Sequence, residues 1–476
     1  MKFGGTSVEG ATAFKNAARI VFDRQGLRPV VVVSAMAGFT DALLDSVEQA
    51  LSVGEGAAKS SEALEKHFDR HRRVIDALLR EEARETRALV DQSRAEIARL
   101  LHTAAAEVSD NTVGEDRKRR KFFEDAIVSY GERLSAALLA AVLRENKVAG
   151  REVDARRCVI TDDEHGCAAP LMAETFGSAQ KHLRPLLASS CVPVLGGFIG
   201  STVTGETTTL GRGGSDYTAA LIGAALDAKE IQIWTDVPGV LTADPRLVSH
   251  ARTVPQLSFE EAAELAYFGA KVLHPKTLHP AIERDIPVRI CNSRAQEGGS
   301  TLVVGETKKS PQTVKAIAHK TGVTTVQVTS TRMLGAYGFL RALFEIFAEH
   351  KTAVDVVTTS EVSVSLSLDD TSALSAIVKQ LERLGSVTVE EKRAIICVVG
   401  EGLRSTPGIA ARIFSTISDI NVSLISQGAS RINLTFAVEE DRVRETVARL
   451  HKEFFEGSES EDALREFNDL GAGVPA

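Results

Sequence analysis

Val30-Val31-Val32-Val33-Ser34-Ala35-Met36-Ala37-Gly38-Phe39-Thr40-Asp41 sets the fold class of this chain. Four β-branched residues in a row make a strand buried on both faces, small residues and Gly38 break it into a loop, and a helical pattern begins at Phe39. A strand–loop–helix unit of this kind belongs in a mainly parallel sheet covered by helices, where ligands bind beyond the carboxyl ends of the strands. Thr40 stands where it either caps the helix or faces such a ligand.

The same alternation runs on both sides of the valine run, through residues 1 to about 305. Strands are predicted at 192–195, 231–235, 288–291 and 301–304, and helices at 14–23, 218–226 and 259–268. An insert at about 57–108, rich in Glu, Arg, Ala and Leu with almost no Gly or Pro, reads as a helical lobe. The sheet therefore brings several strand ends together, and the residues with chemistry cluster at them.

Two of these ends are rich in glycine. Met1-Lys2-Phe3-Gly4-Gly5-Thr6-Ser7-Val8 sets a cation beside paired glycines, and Thr207-Thr208-Thr209-Leu210-Gly211-Arg212-Gly213-Gly214-Ser215-Asp216 adds a second loop with a guanidinium. Bare backbone N–H groups and cations around a polyphosphate are what phosphoryl transfer requires. Neither loop is a P-loop, and no G-x-G-x-x-G is present. Ser215 or Asp216 could serve as an N-cap, but capping needs no arginine, whereas a bidentate carboxylate or phosphate contact does. Thr235-Asp236-Val237-Pro238-Gly239 and Thr242-Ala243-Asp244-Pro245-Arg246 are good turn formers that also gather Asp236, Asp244 and Arg246 after one strand. By default Lys271 is a surface lysine near a helix end and Glu132 an exposed glutamate; His274 and His279 lack metal-like spacing and read as structural.

Composition narrows the classes. A 476-residue chain with 43% hydrophobic residues can build two to four domains. Its net charge of -8 offers no footprint for nucleic acid, and the basic run 117–121 is bracketed by Glu115, Asp116, Glu124 and Asp125. Five scattered cysteines without a C-x-x-C pair read as reduced thiols, not a disulfide or zinc framework. With no signal-peptide layout and no apolar run taken as long enough to span a membrane, the expected location is the cytoplasm.

Beyond a linker at 306–314 the pattern changes and repeats. Two units, 315–391 and 392–465, each read as a βαββαβ module, with a glycine before the first helix and a phenylalanine six residues on, Phe344 and Phe414. Tandem α+β modules of this kind suggest a paired regulatory region. Their exposed sheet edges and apolar helix faces predict association with a second chain, a homodimer at least.

Taken in order, the Lys2 run, the Ser34–Thr40 loop, Tyr130-Gly131-Glu132, Thr207–Asp216, Trp234–Arg246 and Phe268–Pro275 resemble the monofunctional aspartokinases over nearly the whole chain. The resemblance implies an amino-acid-kinase domain at 1–305, a three-layer α/β/α sandwich with a mainly parallel sheet, followed by two ACT modules. It implies transfer of the γ-phosphoryl group of ATP, with Mg2+ held mainly by the ATP phosphates and no protein metal site, to the β-carboxylate of L-aspartate. Carried over by position, Lys2 would neutralise the transferring phosphoryl group and Asp216 would orient Lys2. Gly4, Gly5 and Ser7 would hold phosphate oxygens. Thr40, Glu132, Arg212, Gly213, Gly214 and Ser215 would hold aspartate, Glu132 taking its ammonium and Arg212 its α-carboxylate. Thr235, Asp236, Leu241, Asp244, Arg246, Lys271 and Val272 would hold the nucleotide, Leu241 standing where many relatives place Tyr. An amino-acid effector, lysine or threonine, would meet Met333, Gly338, Asp355, Thr359 and Ser360. Ala336 and Ala353 replace hydroxyls often present in lysine-inhibited relatives, which leaves the effector open. Relatives also carry several apolar residues ahead of the first lysine, so the native chain is expected to begin upstream of Met1.

Overall fold

The valine run forms an inner strand of a mainly parallel sheet. The computed structural model describes residues 1–51, 56–107, 115–269, 275–295, 298–307 and 313–456. Its strands, in chain order, are β1 (Lys2–Phe3), β2 (Val31–Val33), β3 (Gly150–Val153), β4 (Ile160–Thr161), β5 (Val192–Gly196), β6 (Ile199–Thr202), β7 (Thr207–Thr209), β8 (Ile231–Thr235), β9 (Gln256–Ser258), β10 (Val288–Asn292), β11 (Thr301–Val304), β12 (Ala316–Thr329), β13 (Val357–Thr359), β14 (Ser363–Leu368), β15 (Ser386–Val399), β16 (Leu424–Gln427) and β17 (Asn433–Glu439). The helices are α1 (Ala11–Asp23), α2 (Phe39–Leu51), α3 (Gly56–Leu78), α4 (Ala83–Glu107), α5 (Glu115–Glu145), α6 (Met172–Ala188), α7 (Gly214–Ala225), α8 (Phe259–Tyr267), α9 (His279–Glu283), α10 (Phe339–Glu349), α11 (Leu374–Leu381), α12 (Ile409–Thr416) and α13 (Val443–Phe455). The helical lobe expected at 57–108 is the α3–α4 pair.

The chain divides into two units, Met1–Val240 with Leu273–Gly305, and Leu241–Val272 with Glu306–Ala476. In the first, the strands run β3-β5-β2-β1-β8-β10-β11, all parallel except for the β10–β11 pair. Both faces are covered, because neighbouring strand residues point to opposite sides. Val31, Val33, Val192 and Val194 join α1, α2 and α5 in one core, while Leu195 and Ile199 join α6 and α7 in the other. This is the three-layer arrangement the alternation predicts. β1 lies between β2 and β8, with Lys2 opposite Val32 on one side and Ile233 on the other, so two residues suffice to lock the backbone under the lysine. One stretch departs from expectation: within α5 an apolar window is long enough to cross a membrane, but 89% of it is buried inside the protein, as befits a core helix.

In the second unit one six-stranded sheet, ordered β13-β14-β12-β15-β17-β16, serves both repeats. β12 and β15 are 14-residue strands that pair along most of their length, with a bulge between Lys320 and Thr325. Ala316–Lys320 pairs with Ile395–Val399, so the beginning of the first repeat completes the sheet of the second. The modules expected in tandem are interleaved through these two long strands. Residues 241–269 also fold with this unit: Thr242 O accepts from Ile317 N–H at 2.8 Å, and the buried Lys315 Nζ meets Glu261 at 2.8 Å. A Cβ on Gly269 would stand 2.2 Å from the His319 carbonyl oxygen, which fixes glycine in the Phe268-Gly269 pair. The linker's residues 308–312, and those beyond 456, lie outside the described residues.

Candidate active site

At the carboxyl end of β1 the chain turns sharply. Gly4 N–H donates to Trp234 O at 3.0 Å, and Lys2 projects its ammonium to within 2.8 Å of Asp216 Oδ1. Both side chains are mostly buried, at 11% and 15% exposure, and the contact lacks the alignment of a full hydrogen bond. Asp216 reaches this point because Gly213, with φ 75°, N-caps α7 without any side-chain bond and leaves Ser215 and Asp216 inside the first turn. Neither residue is consumed as a cap. Gly211, with φ 73°, tightens the same loop, since only glycine takes left-handed angles freely. Arg212 is exposed and makes no ion pair among the described residues.

Glu132 differs most from its default reading. It sits on α5 at 3% exposure, where Oε1 accepts from Ala35 N–H at 3.2 Å and Oε2 has no partner. Burial pushes its pKa from 4.5 up to about 8, against the pull of the Ala35 N–H. A carboxylate half-satisfied in a dry site costs free energy until a cation arrives. Two glycines bring it beside the loop of α7: a Cβ on Gly196 would stand 2.9 Å from Glu132 Cβ, and one on Gly197 would stand 2.7 Å from Ser215 Cα. Gly197 N–H in turn donates to Val33 O at 2.8 Å, so Glu132, Ser215, Asp216 and Lys2 gather at the carboxyl ends of β1, β2 and β5. Gly196-Gly197 went unnoticed in the sequence, although a Gly-Gly pair closing a β-branched run marks a close approach of another backbone.

The remaining residues fall into place unevenly. Thr40 is the second residue of α2, not its cap, and no hydrogen bond occupies its hydroxyl among the described residues. Gly5 lies against the loop after β2, where an added Cβ would be 3.0 Å from Ala35 O. Ser7, expected at a phosphate, is buried at 2%, its hydroxyl 2.7 Å from Ser293 Oγ and 3.3 Å from Trp234 O. These contacts tie the first turn to β8 and to the residue that follows β10. Thr235 Oγ1 donates to Asp236 Oδ1 at 3.2 Å, and Asp236 is exposed. Leu241, Asp244 and Arg246 belong to the second unit; there the Arg246 fork closes on Asp244 at 2.6–3.1 Å, holding that carboxyl below its usual range. Lys271, Val272 and His274 lie outside the described residues.

Behind the α7 loop stands a cluster that sequence reasoning passed over. Asp125, buried on α5, accepts from Thr209 Oγ1 and from Gly166 N–H at 2.9 Å, and its Oδ2 is 3.0 Å from His165 Nδ1. Burial raises its pKa against these bonds. It anchors the segment whose Cys167 Sγ would be 3.1 Å from a Cβ on Gly211.

Of the expected effector residues, Met333 is partly buried against the core of its repeat and Gly338, with φ 84°, caps α10. Thr359 and Ser360 are exposed, and Ser360 Oγ is 2.7 Å from Ser363 Oγ. Asp355 is already occupied: its carboxylate takes the Tyr267 hydroxyl on one oxygen and Lys320 Nζ, at 3.0 Å, on the other.

Comparison with known proteins fits this geometry. The amino acid kinase family model matches residues 1–292, and an ACT domain model matches 396–454. Lysine-sensitive aspartokinase 3 of Escherichia coli K12 is 39% identical over 96% of this chain and 98% of its own length. Aspartokinase 1, chloroplastic, of Arabidopsis thaliana is 38% identical over 100% of this chain and 83% of its own. The crystal structure of E. coli aspartokinase III with aspartate and ADP, in its R-state, superposes with a TM-score of 0.78 at 37% identity, covering 95% of this chain and 99% of the other. The T-state with lysine and aspartate gives 0.77 at 38%, covering 95% and 98%.

Proposed function

This chain belongs to the amino acid kinase family and, within it, to the aspartokinases, and from that premise we propose how its own residues carry the reaction. The enzyme is an aspartate kinase. It passes the γ-phosphoryl group of ATP to the β-carboxylate of L-aspartate, giving 4-phospho-L-aspartate and ADP for the synthesis of lysine, threonine and methionine.

The carboxylate oxygen forms the new O–P bond as the bond to the β,γ-bridging oxygen breaks, and ADP leaves with that electron pair. At pH 7 a carboxylate with a reference pKa of about 3.9 is already ionised, so no general base is required. Positioning and charge stabilisation must supply the rate. Lys2 faces the charge that builds on the transferring group, held by Asp216 and by a backbone paired on both sides. Gly4 and Gly5 are assigned to the phosphates, Gly4 as a residue that puts no side chain beside the Lys2 ammonium; the Gly4 N–H itself is held by Trp234 O. Glu132 takes the substrate ammonium, Arg212 its α-carboxylate, and Thr40 and Ser215 complete the pocket. Thr235 and Asp236, at the end of β8, are assigned to the nucleotide. Mg2+, carried in on the ATP phosphates, would supply neutralisation of their charge. The cytoplasm is the proposed location.

One observation supports this reading above the others: a buried carboxylate with an unpartnered oxygen stands at the same strand ends as a pre-paired lysine. The test is ADP release with L-aspartate as variable substrate. Saturable, aspartate-dependent release is expected; none at millimolar aspartate would leave an amino-acid sensor with a silent kinase domain. For the effector, Asp355 favours an amino acid with a second ammonium, lysine first, because the carboxylate already holds the ammonium of Lys320. The edge strands β13 and β16, carrying exposed Val357 and Ile425, are the proposed homodimer surface. Sedimentation as a monomer at micromolar concentration would contradict it.

A further inference from the structure

We propose that His250, His451 and Glu456 form a binding site for a divalent transition-metal ion, Zn2+ in the first place. His250 lies in the turn after Asp244, His451 on α13, and Glu456 at the C-cap of that helix. One ligand atom from each lies within 4.8 Å of the other two. His250 Nε2 and His451 Nδ1 converge on the same oxygen, Glu456 Oε1, at 2.6 and 2.9 Å. Two imidazoles and one carboxylate are a donor set that borderline ions take readily and that leaves the fourth tetrahedral position to water.

The outer shell fits as well. His451 is buried at 1% side-chain exposure, and its Nε2 is 2.9 Å from Thr242 Oγ1. That hydroxyl oxygen also accepts from Arg252 N–H at 3.0 Å. When Nε2–H donates to the threonine oxygen, Nδ1 carries the free lone pair, directed toward Glu456, and the ring is held in the tautomer that binds metal. Bonds of about 2.0–2.2 Å in a tetrahedron place ligand atoms about 3.3 Å apart. His250, with a side chain 61% exposed, can swing out by the roughly 0.7 Å that separates its 2.6 Å contact from this spacing.

Without metal the cluster has a second consistent form, in which the Thr242 hydroxyl donates to Nε2 and Nδ1–H donates to Glu456. From that form, binding moves the His451 proton from Nδ1 to Nε2 and turns the Thr242 hydroxyl away, with no net proton released. The ion would staple residues 242–252 to the end of α13. Thr242 also bonds β12 through its carbonyl, so the staple would stiffen the joint between this segment and the shared sheet.

Untagged full-length protein, stripped with EDTA and desalted, is titrated with Zn2+ against a chromophoric chelator, with metal content measured by mass spectrometry. About one ion per chain is expected. His250→Ala and Glu456→Gln, both at exposed or half-exposed positions, should each weaken binding by at least ~10-fold, since outer-shell losses alone cost about 10–100-fold. Co2+ in place of Zn2+ should give the visible absorption of a tetrahedral site, lost in both variants, and circular dichroism confirms that they fold. No binding above background, or binding that both variants retain in full, would overturn the assignment.

Discussion

Replacing Glu132 with glutamine isolates a buried charge at a residue that the sequence names for the substrate ammonium but whose default reading is exposed. With its pKa pushed up to about 8, the carboxyl of the substrate-free enzyme is about 90% protonated at pH 7. An ammonium pairs only with the ionised form, so aspartate binding must drive off about 0.9 proton at that pH, at a cost of about 1.4 kcal/mol. The aspartate KM should therefore fall about tenfold per pH unit below pH 7 and level off above about pH 8. Glu132→Gln keeps the shape and can still accept from Ala35 N–H, but has no charge to offer. Losing one partner of a buried charge pair costs about 2–5 kcal/mol, which is roughly 30-fold to a few thousandfold in kcat/KM once the wild-type carboxyl is ionised. At pH 7, where the wild type bears the deprotonation cost, the deficit should be about tenfold smaller.

Two further readouts separate this from general damage. Calorimetry in buffers of different ionisation enthalpy should show proton release with wild type and none with the variant. Stability should move oppositely to affinity. Between pH 4.5 and about 8 the folded carboxyl retains a proton that the unfolded chain has lost, so wild-type stability falls as pH rises through that window. The variant lacks this slope and should be the more stable protein at pH 9 without substrate. An aspartate KM within threefold of wild type, still falling with pH in the variant, would refute the role of Glu132 and the ionisation assigned to it.

Three other substitutions test separate parts of the account. Lys2→Ala should lower kcat by at least ~100-fold, the scale of one lost transition-state donor, with aspartate affinity little changed; near-normal turnover in a coupled ADP assay would remove Lys2 from the chemistry. Gly197→Ala forces a Cβ to within 2.7 Å of Ser215 Cα, and should cost about 1–3 kcal/mol in denaturant unfolding and raise the aspartate KM by displacing the α7 loop; a wild-type KM would show that the loop's position is not critical. Lys320→Met frees Asp355 of its internal ammonium and should tighten inhibition by lysine about fivefold, the equivalent of about 1 kcal/mol; unchanged inhibition would mean that the effector does not use Asp355.

The sequence made the sheet legible because its information there is local. Ile231–Thr235 and Thr301–Val304 are β-branched runs between turn residues, and the structure begins and ends these strands where the pattern does. Phe339–Glu349 and Val443–Phe455 are equally plain, with apolar residues at helical spacing. The sharing of β12 and β15 was not legible, since a 14-residue strand that belongs to two repeats looks in sequence like two strands in adjacent modules. Loop glycines declared themselves, because Gly211 and Gly213 sit in a run that makes sense only with left-handed backbone. Glu132 did not, for burial comes from what packs on α5, and Gly196 and Ala35 are distant in the chain.

In the mechanism proposed above, Lys2 and Glu132 have their charge prepared differently for the two sides of one reaction. The lysine must stand charged and still before ATP arrives, so Asp216 holds it at 2.8 Å and both strands beside β1 fix its backbone. An unpaired ammonium on so flexible a stem would drift. The glutamate is under the opposite constraint. Were it paired in advance, substrate would have to displace the partner; kept neutral by burial, it takes on charge only as the ammonium enters. A dicarboxylate lacking the amino group leaves this carboxyl protonated and its second oxygen unmatched, so the site discriminates by what it withholds as well as by what it offers. On the proposed roles the pre-paired cation would serve the chemical step and the unpaired acid selection, at three strand ends brought within reach by glycines.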